Sequence, residues 1–143
     1  MARCARTLRV PGRTSELARV RRCVAAWAAE ADLPEATARR LQLAVDEAVA
    51  NAIEHGLADP ERGRITVEAR DEPTGLTVAV RHRGERFDPT TAVLPSPSDT
   101  VQRRAAHGYG LHLIRTLVDT VAYRYRAGRT GAGTNEVRLT ARK

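Results

Sequence analysis

From Arg64 to Arg83 the sequence reads RITVEARDEPTGLTVAVRHR, two runs of alternating apolar and polar residues on either side of the turn-rich DEPTG. Alternation sends every second side chain to the same face, so the pair predicts an antiparallel hairpin with one apolar face that a second layer must cover. The cover stands upstream. In TSELARVRRCVAAWAAEADLP, Leu17, Val20, Val24 and Trp27 recur at helical spacing, with Thr14 or Ser15 as the cap and Trp27 as a core residue. A second helix is predicted from about Pro34 to Leu57, closed by His55-Gly56 and Asp59-Pro60, with Leu41, Val45, Ala48 and Ala52 as its apolar stripe.

Around this centre, RTLRVPG reads as a short edge strand, and VAYRYRA and TNEVRLTAR as a closing hairpin joined by GRTGAGT. GYGLHLIRTLVDTV restores a helical pattern, whereas residues 84–107 are rich in Pro, Ser, Thr and Arg without periodicity, as a functional lid would be. The order strand, two helices, two strands, loop, helix, two strands predicts a two-layer α+β sandwich with a mainly antiparallel sheet and helices on one face. Its 143 residues fit one domain, spanning 1–143. Aromatic residues are only 3%, so Val, Leu, Ile and Ala must fill the core, and large base-stacking platforms are excluded.

The formal net charge is +7, and all 24 basic residues but Lys143 are Arg. That favours anionic ligands or acidic surfaces through long-range attraction, but no run of five or more basic residues concentrates the charge, so a generally solvated Arg surface is expected ahead of a dedicated basic patch. Cys4 and Cys23 form no CxxC motif and stand near no Cys/His pair, which argues against zinc and against a disulfide scaffold. With no apolar stretch of membrane length and no apolar core to the opening MARCARTLRV, a cytoplasmic protein with reduced thiols and no membrane partner is expected.

The second helix carries the chemistry. In LAVDEAVANAIEHGL, Glu47, Asn51 and His55 are spaced four apart, drift by only about 40° per step and share a face beside the apolar stripe. A carboxamide oxygen can ligate Mg²⁺, and a nearby carboxylate can take a proton from an attacking hydroxyl. The same spacing also suits a surface helix with incidental polar residues. Downstream, Gly108-Tyr109-Gly110 opens a helix after the loop, where bare backbone N–H groups and the helix dipole suit phosphate. His55 reads as a helix-closing residue or one packed under the lid, and Asp46 as an exposed one. Arg103 and Arg104 reach either the γ-phosphate or solvent, and His107 and His112 are too scattered for a metal site.

DEAVANAIEHG, RGERFDP and GYGLHLIRTLVD, in this order, resemble the successive motifs of the GHKL-type ATPase superfamily, which includes gyrase and histidine-kinase catalytic domains. The likeness is greatest to the small anti-sigma-factor serine/threonine kinases of bacterial partner switching, and it covers nearly the whole chain. It implies a Bergerat-type ATP-binding fold with Mg²⁺ and ATP. By this resemblance Glu47 is the general base and Asn51 the Mg²⁺ ligand. Phe87-Asp88-Pro89 stands at the lid entrance, Gly108, Tyr109, Gly110 and Leu111 lie with Arg104 beside the phosphates, and Thr134 lies near adenine. The implied partners are an anti-anti-sigma factor as substrate and a sigma factor as the sequestered protein. A homodimer is implied as well, and direct nucleic-acid binding is not.

One position departs from the pattern. Where the superfamily has Asp-x-Gly, this chain has His82-Arg83-Gly84. The missing Asp accepts a hydrogen bond from the adenine amine, a role that neutral His82 can fill through one ring nitrogen and protonated His82 cannot. Loss of such a bond costs about 1–3 kcal/mol, roughly 5- to 150-fold in affinity. Two functions therefore compete: an active kinase, and a binding module of the same fold that captures a partner with weak or no nucleotide affinity.

Overall fold

A computed structural model describes residues 6–88 and 114–143. Strand β1 (Thr7–Pro11) leads through a 3-10 turn (Thr14–Glu16) into helix α1 (Leu17–Glu30) and then helix α2 (Glu35–Asn51). Strands β2 (Arg64–Glu72) and β3 (Gly75–Gly84) follow, and after the helical residues 114–117 the chain closes with β4 (Thr120–Arg126) and β5 (Gly133–Arg142). The five strands lie in the order β1-β2-β3-β5-β4, every pairing antiparallel, with the helices on one face. This is the α+β sandwich that the periodicities predict.

The hairpin register follows from its turn. Glu72 pairs with Gly75, so only Pro73 and Thr74 lie outside the ladder, and the strands extend to Ile65 opposite His82. Ile65, Val67, Val78 and Val80 consequently face the helices and are buried. Against them pack Val20, Val24 and Trp27 of α1 and Leu41, Val45 and Ala48 of α2, all at most 7% exposed. Burial of such side chains contributes about 1.5–3 kcal/mol each for the larger ones, which is what holds α2 against the sheet.

Three local expectations differ from the structure. Neither Thr14 nor Ser15 caps α1 through its side chain, because the 3-10 turn enters the helix directly. Asp46 is not an exposed residue: its side chain is only 16% accessible, and it takes a bidentate pair from Arg21 of α1 at 2.8 and 3.1 Å. The second helix does not run regularly to Leu57 either. It ends at Asn51 and widens into a π-helical turn, Ala52–Gly56. Such turns are rare and concentrate at functional sites. Cys23 is buried in the core, while Cys4 lies outside the described residues.

Candidate active site

The two polar residues that matter on α2 sit at the border of its packed face. Glu47 is half-buried, and burial pushes its carboxyl above the ordinary carboxylate value, with the negative charges of Asp46 and Glu54 adding to the rise. Asn51, one turn on, is 6% exposed, and its Nδ2 is buried with no hydrogen-bond partner. Since a carboxamide can be turned either way, the side chain offers a buried polar group with unmet bonding capacity. Among the described residues no three His, Cys, Asp or Glu side chains gather into a metal cage. That donor set fits Mg²⁺, which keeps several waters and takes one or two protein groups alongside substrate phosphates.

The π-turn brings the end of α2 onto the end of β3. The Ala58 N–H donates to the Arg83 carbonyl at 3.0 Å. A Cβ on Gly84 would stand 1.6 Å from the Gly56 carbonyl oxygen, and one on Gly56 would stand 2.3 Å from Nε2 of His82. At Gly84 the contact is with backbone, so glycine is required there; at Gly56 it is with the His82 ring. Gly84→Ala is therefore expected to lower folding stability by about 3 kcal/mol, read as a fall in the urea midpoint, because both colliding groups are main chain and cannot swing away.

His82 faces the helices, 6% exposed, with its Nε2 buried and unpartnered over Gly56. Burial lowers its pKa from 6.5 to about 4, so the imidazole is neutral at physiological pH. Across the register its strand neighbours are Ile65 and Asn135. His55 lies in the π-turn, its ring 6.1 Å from that of Phe87 and its Nε2 3.5 Å from Glu54, which places it beside the segment that follows β3 rather than in a regular helical row with Glu47.

Asn135 is the residue that the sequence reading missed. It is fully buried, accepts from the Phe87 N–H at 3.0 Å and from the Tyr123 hydroxyl, and donates to the Glu85 carbonyl at 2.8 Å. It thus fixes residues 85–87, where the chain leaves β3. The signal was present in TNEVRLTAR, where Asn135 shares the inward parity of Val137 and Leu139. A carboxamide at a core-facing strand position needs specific partners. Thr134, by the same alternation, is exposed on the opposite face of the sheet, where it lines a depression with Arg81 and Arg83. Arg103, Arg104, His107, Gly108, Tyr109, Gly110, Leu111 and His112 lie outside the described residues. The structure thus places Glu47 and Asn51 one turn apart at the end of α2, and brings Gly56, His82 and Gly84 together where the following π-turn meets β3.

Residues 10–141 match a family model described as a histidine kinase-like ATPase domain. Among curated proteins, the chain is 34% identical over 103 residues to the serine-protein kinase RsbW of Bacillus velezensis, covering 66% of this chain and 61% of that one. It is 30% identical over 126 residues to the protein of the same name from Listeria innocua, covering 85% of this chain and 80% of that one. The chain thus spans about three-fifths of the Bacillus relative, at 61%. A histidine kinase domain from Erythrobacter litoralis matches in structure with a TM-score of 0.48 at 19% identity, over 91% of this chain and 61% of that one.

Proposed function

The chain belongs to the histidine kinase-like ATPase domain family, and from that premise we propose that it is an ATP-dependent protein serine/threonine kinase. Its substrate is an anti-anti-sigma protein, and when free of that partner it sequesters a sigma factor in the cytoplasm. The pairing of Glu47 and Asn51 on α2 carries this reading: a carboxylate made more basic by burial, four residues before a buried carboxamide with an unmet polar group. The serine-protein kinase relatives support the same class of reaction.

In this mechanism Glu47 takes the proton of the partner's serine hydroxyl as its oxygen attacks the γ-phosphorus and ADP leaves. A carboxylate of raised pKa is a stronger base than an ordinary one. Asn51 would hold Mg²⁺, which when bound neutralises charge on the phosphate chain. By the resemblance of GYGLHLIRTLVD, Gly108 and Gly110 would offer backbone N–H groups to the phosphates, with Arg104, Tyr109 and Leu111 assigned to the same nucleotide site. His82 stands at the base end, and Gly84 lets the π-turn close against β3. Among the described residues no helix is long and apolar enough to cross a membrane, which is compatible with a cytoplasmic setting.

The test is transfer of labelled phosphate from Mg-ATP to a serine of an anti-anti-sigma protein. Transfer to serine is expected. A stable complex with that protein, formed without ATP and never followed by transfer, would overturn the kinase reading in favour of a partner-capturing module. His82 gives that second reading its one specific support, since no carboxylate stands at the base end where the resemblance calls for one.

A further inference from the structure

The open face of the sheet, opposite the helices, holds a concentration of positive charge that carboxylates compensate only in part. Arg9, Arg62, Arg64, Arg81 and Arg83 line a depression of about 460 Å³ whose only carboxylate among the described residues is Asp59. That carboxylate is engaged locally, its Oδ1 accepting the N–H groups of Glu61 and Arg62 at 3.1 Å. The strand register makes the arrangement two rows. Arg9, Thr66 and Arg81 stand side by side across β1, β2 and β3, and Arg64 lies beside Pro11 in the next row, toward Arg83.

Arginine is abundant everywhere in this chain, but it is not left bare everywhere. Toward β4 and β5, Glu136 gathers Arg81, Arg124 and Arg138 at 3.1, 3.3 and 2.7 Å, and Glu68 takes a second contact from Arg81 at 3.1 Å. Toward β1, among the described residues, no carboxylate pairs with Arg9, Arg62 or Arg64. Arg81 joins the two regions. Its Nε and Nη2 are held by carboxylates, which fixes the guanidinium, while its Nη1 is buried with no partner.

We propose that this depression binds a chain of two or more phosphates, either free or carried on a nucleotide. The backbones of β1 and β3 are two strand spacings apart, about 10 Å, and the five arginines spread around the depression can engage several linked phosphates at once. The guanidinium fork pairs with phosphate oxygens in a bidentate manner, and Thr66 and Thr134 add hydroxyls to the wall. The depression is separate from the site on α2. Arg81 and Arg83 point to it across β3 from the end of α2, and His82 between them borders the depression while its side chain is buried on the helix side, so the two sites adjoin at this one residue.

Inorganic tripolyphosphate, titrated without divalent metal, tests this in the full chain. Arg9→Ser with Arg64→Ser removes two exposed side chains that have no ion pair, and the circular dichroism spectrum should not change. The double variant is expected to bind at least about tenfold more weakly, with wild-type affinity falling steeply with salt. Asn51→Ala should leave tripolyphosphate affinity within about twofold, and backbone amide shifts should appear at residues 64–66 and 81–83. Repeating the titration with ADP separates the sources: the same amides shifting at tenfold lower concentration marks a nucleotide-borne chain, and equal or weaker binding marks a free one. Unchanged affinity in the double variant, or shifts confined to α2 and the π-turn, overturns the proposal. So does capture of duplex DNA through the same arginines in the absence of tripolyphosphate binding.

Discussion

Glu47→Gln is expected to reduce phosphate transfer by about 10²- to 10⁴-fold while making the folded protein more stable at neutral pH, a combination that a merely structural residue would not produce. The rate loss is the usual contribution of a positioned general base. The stability gain follows from the environment of the carboxyl. Burial, with Asp46 and Glu54 nearby, raises its folded-state pKa, so the folded state holds the proton more tightly than the unfolded chain does. Stability that depends on this proton is present below the unfolded value and declines as pH rises through the folded one. As pH rises above the unfolded value the carboxyl becomes a net cost to folding, and the neutral amide removes it. The urea midpoint of the variant should therefore exceed that of wild type at pH 7, with the difference disappearing below pH 4. Mg-ATP affinity, which rests on other groups, should stay within about threefold. Full activity in the variant would remove Glu47 from the mechanism, and a lowered midpoint would show that the carboxylate is held by favourable contacts instead.

How far the sequence discloses this site depends on the range of the interactions that build it. The β2-β3 hairpin is legible because its alternation and its short turn are local, and one register buries Ile65, Val67, Val78 and Val80 together. The apolar stripe of α2 is legible for the same reason, and with it the shared neighbourhood of Glu47 and Asn51. The π-turn is not. His55-Gly56 carries the signal of an ordinary helix end, and what widens the last turn is a tertiary fit of Gly56 against Gly84 and His82, almost thirty positions away. Asp46 was misread on similar grounds, because its partner Arg21 belongs to another helix. Asn135 was legible in principle from strand parity, but its partners at Glu85, Phe87 and Tyr123 become evident only once β3, β4 and β5 are in register.

His82→Asp is expected to raise Mg-ATP affinity by about 5- to 150-fold, the range that a regained buried hydrogen bond to the adenine amine corresponds to. The wild-type imidazole is not a protonated obstacle. With a pKa of about 4 it stays neutral from pH 5 to 8, so wild-type nucleotide affinity should be flat across that interval despite the arginines on either side. What limits it is the placement of Nε2, buried over Gly56 without a partner. The same burial predicts a pH signature in stability. The unfolded chain takes up a proton near 6.5 and the folded one only near 4, so stability is full above 6.5 and falls as the solution is acidified. Between pH 7 and pH 5, above the range of ordinary carboxylates, the loss amounts to about 2 kcal/mol, and His82→Gln should abolish that slope. An unaltered slope in the Gln variant would mean that His82 is not the group titrating. Micromolar wild-type binding that His82→Asp fails to improve would mean that the neutral imidazole already reads the base, leaving the kinase reading intact. Absent wild-type binding restored by the carboxylate would instead make this chain a module whose nucleotide site was closed by one side chain, with partner capture as the function it retains.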